Sequence, residues 1–120
     1  MISHVTVATE KMQDTIDFYQ WLLDLPIDSR FPIGNGGEIV FLGAPEEAKF
    51  EIIYQPDTPA RACDGVTIGF GVKSLEEKMN QLDGRSIPHS PLISPNPHSK
   101  FCFFTDLNGV KIQLFQAHER

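Results

Sequence analysis

Apolar and polar residues alternate along much of this chain, and the period changes from two to about 3.6 and back twice. Residues 2–8 (ISHVTVA) alternate and are rich in Val, Ile and Thr, which predicts a strand. After Thr9, the apolar residues Met12, Ile16, Tyr19, Leu22 and Leu23 recur at three- and four-residue spacing, which predicts an amphipathic helix ending at Leu25-Pro26. Three strand-like runs follow, Ile27–Ile33, Glu38–Gly43 and Ala48–Gln55, separated by the turn-forming clusters Gly34-Asn35-Gly36-Gly37 and Ala44-Pro45-Glu46-Glu47. Residues 56–65 (PDTPARACDG) read as a polar linker. The order then repeats. Val66–Val72 is a strand, and Ser74 to Glu77 form a capping box that opens a helix carrying Leu75, Met79 and Leu82 and stopping at Gly84. A weak strand over Arg85–Ile93 and a Pro/Ser-rich loop come next. Two strong strands, Lys100–Thr105 and Val110–Ala117, close the chain around the turn Asp106-Leu107-Asn108-Gly109.

The repetition extends to register. His4-Val5-Thr6-Val7 aligns with Thr67-Ile68-Gly69-Phe70 at an offset of 63 (67 minus 4), and Lys49–Ile53 aligns with Lys111–Phe115 at 62 (113 minus 51). Nearly equal offsets at opposite ends of a unit imply a duplicated βαβββ module. The expected architecture is α+β: two tandem βαβββ modules, residues 1–55 and 66–117, forming one domain over residues 1–120.

Bulk properties narrow the functional classes. The chain has 120 residues, 41% of them hydrophobic and 22% charged, an ordinary globular mixture. No apolar run reaches the roughly 20 residues of a membrane helix, and the N-terminus lacks the basic and apolar regions of a secretory signal, so a cytoplasmic location is expected. The net charge is −6, with Lys and Arg scattered singly, which argues against a nucleic-acid partner. Cys63 and Cys102 stand in no CxxC or nucleophile motif and read as small thiols.

The opening SHVTVAT, the helix DTIDFYQWLLDLP with its aromatic pair Phe18-Tyr19 and its Leu23-Asp24-Leu25, the strand FEIIYQ and the closing FTDLNGVKIQLFQ together resemble the glyoxalase/bleomycin-resistance/dioxygenase (vicinal oxygen chelate) superfamily over essentially the whole chain. The resemblance implies modules that curl their sheets into a cup with helices packed outside, a small-molecule ligand, and a homodimer. It also implies one metal-facing residue on the first and last strand of each module: His4, Glu51, Thr67 and Gln113. The matching cofactor is one divalent metal (Zn, Ni, Mn or Fe) per site, or none where the site is degenerate, and the catalytic positions are Glu51 and Gln113.

Strand alternation sets these four side chains on the face opposite Val5, Val7, Phe50, Ile52, Ile68, Phe70, Ile112 and Leu114. His4 and Glu51 are competent ligands. Thr67 is a poor one, and Gln113 offers only a neutral amide oxygen. The resemblance suggests a metal-assisted lyase or isomerase acting next to a carbonyl, yet Gln113 cannot serve as the acidic base that lactoylglutathione lyases carry there. A metal-free module sequestering a cationic compound, as bleomycin-resistance proteins do, is the alternative. An extradiol dioxygenase would need two histidines and a carboxylate, and His4, Thr67 and Gln113 hold one of these three. His89 and His98 lie in a Pro-rich loop and read as surface histidines rather than extra ligands. His118 lies in a polar tail.

Overall fold

The computed structural model describes residues 1–60 and 64–117. The chain divides into two compact units, Met1–Arg61 and Ala62–Arg120, so the boundary falls within the polar linker. Residues 61–63 of that linker, Cys63 among them, and His118 lie outside the described residues.

The first unit runs β1 (His4–Ala8), α1 (Met12–Leu23), β2 (Ile27–Ile33), β3 (Gly37–Leu42) and β4 (Lys49–Tyr54). Its sheet has the order β1-β4-β3-β2, with β1 parallel to β4 and the other pairs antiparallel. The second unit repeats this with β5 (Thr67–Gly71), α2 (Leu75–Gly84), β6 (Ile93–Asn96), β7 (Ser99–Thr105) and β8 (Lys111–Ala117), in the order β5-β8-β7-β6. The parallel pairs share one register: His4 faces Lys49 as Thr67 faces Lys111, and Thr6 faces Glu51 as Gly69 faces Gln113. Both units are therefore βαβββ modules, and the fold is α+β.

One face of each sheet packs on its helix. In the first unit Ile16, Tyr19 and Leu22 of α1 are buried with Val7, Val40, Leu42, Phe50 and Ile52. The Tyr19 ring meets Phe50 edge-on with centroids 4.8 Å apart. In the second unit Leu75 and Leu82 are buried with Cys102, Phe104, Ile112 and Leu114. The Leu75 N–H donates to the Gln116 side chain at 2.8 Å, joining α2 to β8.

Local chemistry accounts for the boundaries. Helix α1 ends at Leu23, three residues before Pro26, because Asp24 turns into the left-handed region (φ 53°) and its N–H donates to the Gln20 carbonyl at 3.1 Å. At the start of α2 the Ser74 hydroxyl accepts the Glu77 N–H at 3.3 Å. In the β7–β8 turn the Asp106 carboxylate accepts the N–H groups of Asn108 (2.8 Å) and Val110 (2.9 Å), with Gly109 at φ 81°.

One element differs from the sequence expectation. The strand expected over Arg85–Ile93 is absent apart from a single bridge between His89 and Phe104, and the strand lies at Ile93–Asn96 instead. Pro88 and Pro91 lack the N–H that a ladder needs. Pro95 is tolerated because β6 is an edge strand with one partner.

Candidate functional site

The helix-free face of the first sheet carries its reactive side chains. Register sets Thr6, Glu51, Phe41 and Ser29 in one row across four strands, with Ala8, Ile53, Ile39 and Phe31 in the next row. His4 stands two residues before Thr6 on the same face of β1. Its Nε2 lies 3.6 Å from Glu51 Oε1, and its Nδ1 lies 2.9 Å from the Ser3 hydroxyl. The Glu51 side chain is 11% exposed and that of His4 42%, so the carboxylate is the sheltered member of the pair. The Thr6 hydroxyl donates to the same Glu51 oxygen. His4 also stands edge-on to Phe41 (centroids 5.6 Å), and Phe41 lies nearly parallel to Phe31 (6.3 Å, 25°).

The second unit builds the same rows from different chemistry. Gly69, Gln113 and Phe103 occupy the positions of Thr6, Glu51 and Phe41, while Phe115 and Phe101 replace Ile53 and Ile39. Phe101 and Phe115 are nearly parallel (6.3 Å, 18°), and Phe101 meets Phe103 edge-on. The Lys111 ammonium sits 4.5 Å from the Phe103 ring centre, where the ring quadrupole attracts a cation. Thr67 is exposed and Gln113 half-buried. The first face is thus acidic with an imidazole, and the second is aromatic with an uncharged amide.

Of the four residues expected to face a metal, His4 and Glu51 are brought together within the first unit. Thr67 and Gln113 occupy the equivalent strands of the second, on the helix-free face. The donor chemistry of the first pair fits a divalent ion. Imidazole nitrogen and carboxylate oxygen bound at about 2.0–2.2 Å to a tetrahedral ion stand about 3.3–3.6 Å apart, which matches the separation of His4 and Glu51. The Ser3 contact on Nδ1 leaves Nε2 directed at the carboxylate, the outer-shell arrangement that orients a ligating histidine. No cluster of three His, Cys, Asp or Glu side chains occurs among the described residues.

Of the two loop histidines expected at the surface, His89 is instead largely buried, with its side chain 11% exposed. His89 is held by Asp83 at the end of α2 (Nε2 to Oδ1, 2.7 Å) and by the Ser90 carbonyl (Nδ1, 2.6 Å). Hydrogen bonding to Ser90 first, and the Asp83 carboxylate after it, raise its pKa above the ordinary imidazole value against the opposing effect of burial. His98 lies in the β6–β7 turn, its N–H donating to the Asn96 side chain. Cys102 is fully buried, and burial pushes its thiol pKa up, as suits an inert core residue. Thr6 is the residue that the motif reading passed over, although it shares the period-two face of His4.

This architecture defines a class: paired βαβββ modules with a potential ligand residue on the first and last strand of each. Residues 1–114 match the model of the Glyoxalase/Bleomycin resistance protein/Dioxygenase superfamily, and the chain belongs to that family. No curated protein matches it in sequence. Among solved structures, the trypanothione-dependent glyoxalase I of Leishmania major superposes with a TM-score of 0.82 at 19% identity, over 97% of this chain and 86% of that one. The fosfomycin resistance protein FosX of Listeria monocytogenes gives 0.76 at 13% identity, over 98% and 94%. TnmS3, an antibiotic-binding protein of Streptomyces sp. CB03234, gives 0.73 at 14% identity, over 98% and 96%. At these identities the likeness establishes the fold alone. No helix among the described residues is long and apolar enough to cross a membrane.

Proposed function

We propose that this chain acts on a small carbonyl- or thioester-type molecule as a metal-assisted lyase or isomerase, with His4 and Glu51 as its charged donor pair. The observation that carries this reading is the 3.6 Å approach of His4 Nε2 to Glu51 Oε1, on a face that also carries the Phe41 and Phe31 rings. A divalent ion held there would polarise the substrate carbonyl, lowering the barrier to proton removal next to it. His4 and Glu51 would hold the ion, with Gln113 as an uncharged third donor and Thr67 the weakest of the four. A glutamine amide takes no proton, so Gln113 orients a substrate oxygen, and the proton would be carried by Glu51. Phe41 stands beside Glu51 across the β3–β4 pair. The proposal includes a homodimer, as the family resemblance implies, and the cytoplasmic location expected from the sequence.

The test is metal uptake by the purified chain with Mn²⁺, Ni²⁺ or Zn²⁺, followed by turnover of hemithioacetals. Wild type is expected to bind one equivalent per site, and His4→Ala and Glu51→Ala to lose it. A wild-type chain that takes up none of these ions removes the mechanism.

A second reading, a metal-free module that sequesters a cationic compound, is favoured by the aromatic neighbours of Glu51, since a carboxylate beside phenyl faces suits a desolvated cation. Saturable binding of a planar cationic drug without turnover, abolished by Glu51→Gln, would select it.

A further inference from the structure

We propose that Thr6 is the positioning residue of this site, holding the Glu51 carboxylate oxygen that faces His4. The inference deepens the metal-site reading above and rests on it for its affinity readout. Three observations converge on Thr6. The parallel register places it directly beside Glu51. Its hydroxyl donates to Oε1, the same oxygen that lies 3.6 Å from His4 Nε2. In this bond the threonine hydroxyl is the donor and the glutamate oxygen the acceptor.

The third observation is the duplicated module, which acts as an internal control. At the equivalent pair the second unit has Gly69 beside Gln113. A Cβ at Gly69 would lie 3.3 Å from Gln113 Oε1, so the amide occupies the space that a side chain at that position would take. Where the acid is kept, its strand neighbour supplies a hydroxyl; where the acid is an amide, the neighbour supplies nothing. A neutral amide has no charge for a donor to stabilise, whereas a hydrogen bond to a carboxylate is among the stronger ones. The β-branch of threonine restricts χ1 and keeps the hydroxyl aimed across the strands. The competing explanation is that Thr6 is simply a good strand former. Valine has the same shape and is as good a strand former, so it would then replace Thr6 without loss.

The experiment uses the full chain and three proteins: wild type, Thr6→Val and Thr6→Ser. In Mn²⁺ titrations Thr6→Val is expected to bind about tenfold more weakly, the usual cost of removing an outer-shell partner, while Thr6→Ser recovers most of the affinity. Unfolding midpoints should stay together. Equal affinity of Thr6→Val and wild type, or a serine variant as weak as the valine one, would overturn the proposal. A second readout needs no metal: the ¹³C resonance of the Glu51 side-chain carboxyl in metal-free protein should move in Thr6→Val and return in Thr6→Ser. If wild type takes up no Mn²⁺ yet this resonance responds, the metal reading falls and the positioning role stands. A resonance unmoved by Thr6→Val ends the positioning role whatever the metal does.

Discussion

The contact between His89 and Asp83 ties the end of α2 to the loop that leads into β6, and its contribution depends on pH in a definite direction. Both ring nitrogens of His89 lie within hydrogen-bond reach of acceptors, the Ser90 carbonyl at 2.6 Å and the Asp83 carboxylate at 2.7 Å. A neutral imidazole has one N–H, so only the imidazolium satisfies both. The folded pKa is accordingly raised, with the Ser90 hydrogen bond the largest cause. A raised pKa means that the stabilisation is fully present below the unfolded value of about 6.5 and is lost as pH climbs through the folded value. A hydrogen bond to a charged group contributes about 1.5–3 kcal/mol. Asp83 is 64% exposed, so solvent screening cuts the ion-pair part to about 1 kcal/mol. With an unfolding entropy of about 2.1 cal/mol/K per residue, 1 kcal/mol corresponds to about 4 °C in Tm for a chain of this length. The perturbation is Asp83→Asn, and the assay is Tm from pH 5.5 to 9 for variant and wild type. The gap is expected to be about 4 °C near pH 5.5–6 and to close on the alkaline side of the folded pKa. A gap that stays constant, or widens with pH, would refute the assignment of the charged form.

Two further substitutions test the scaffold beneath the site. Gly37→Ala would place a Cβ 2.6 Å from the Tyr54 carbonyl oxygen and 2.8 Å from an Ile33 side-chain carbon, so the β3–β4 pairing must shift. A loss of about 1–3 kcal/mol in urea unfolding is expected, and a neutral result would show that the strand end yields freely. Asp106→Ala strips the acceptor for two backbone N–H groups in a carboxylate that is 7% exposed, and should destabilise by about 2–3 kcal/mol. Asp106→Asn keeps an acceptor oxygen and should recover about half of that loss.

The module duplication was legible before any coordinates because a strand pair in fixed register leaves two traces in sequence: period-two alternation and a constant offset. His4 and Glu51 could be placed on one face by the same alternation, since Phe50 and Ile52 must turn towards α1. Three things were hidden for physical reasons. The edge strand Ile93–Asn96 has one partner and two prolines within three residues of its start, so neither propensity nor alternation marks it. The end of α1 was read from Pro26, whereas Asp24 adopts the left-handed conformation that usually goes to glycine. The tie between His89 and Asp83 joins residues six apart through a turn, a spacing that no helical or strand period predicts.

Thr6 shows where a motif reading stops short. Family patterns mark atoms that touch a ligand, and Thr6 would touch only another side chain. What exposes it is the comparison of two modules built in one register and carrying different charge at the same point. Divergence between duplicated halves is physically informative here because backbone and neighbouring strands are held constant, leaving Thr6/Glu51 against Gly69/Gln113 as a natural pair of variants. The same comparison gives the two sheets different chemistry. The first unit concentrates charge beside a partly exposed imidazole. The second concentrates phenyl faces around one amide, which suits an apolar or planar ligand. Installing the first unit's pair in the second, Gly69→Thr with Gln113→Glu, should therefore weaken binding of any apolar ligand that the aromatic face selects, read as a rise in its Kd by titration.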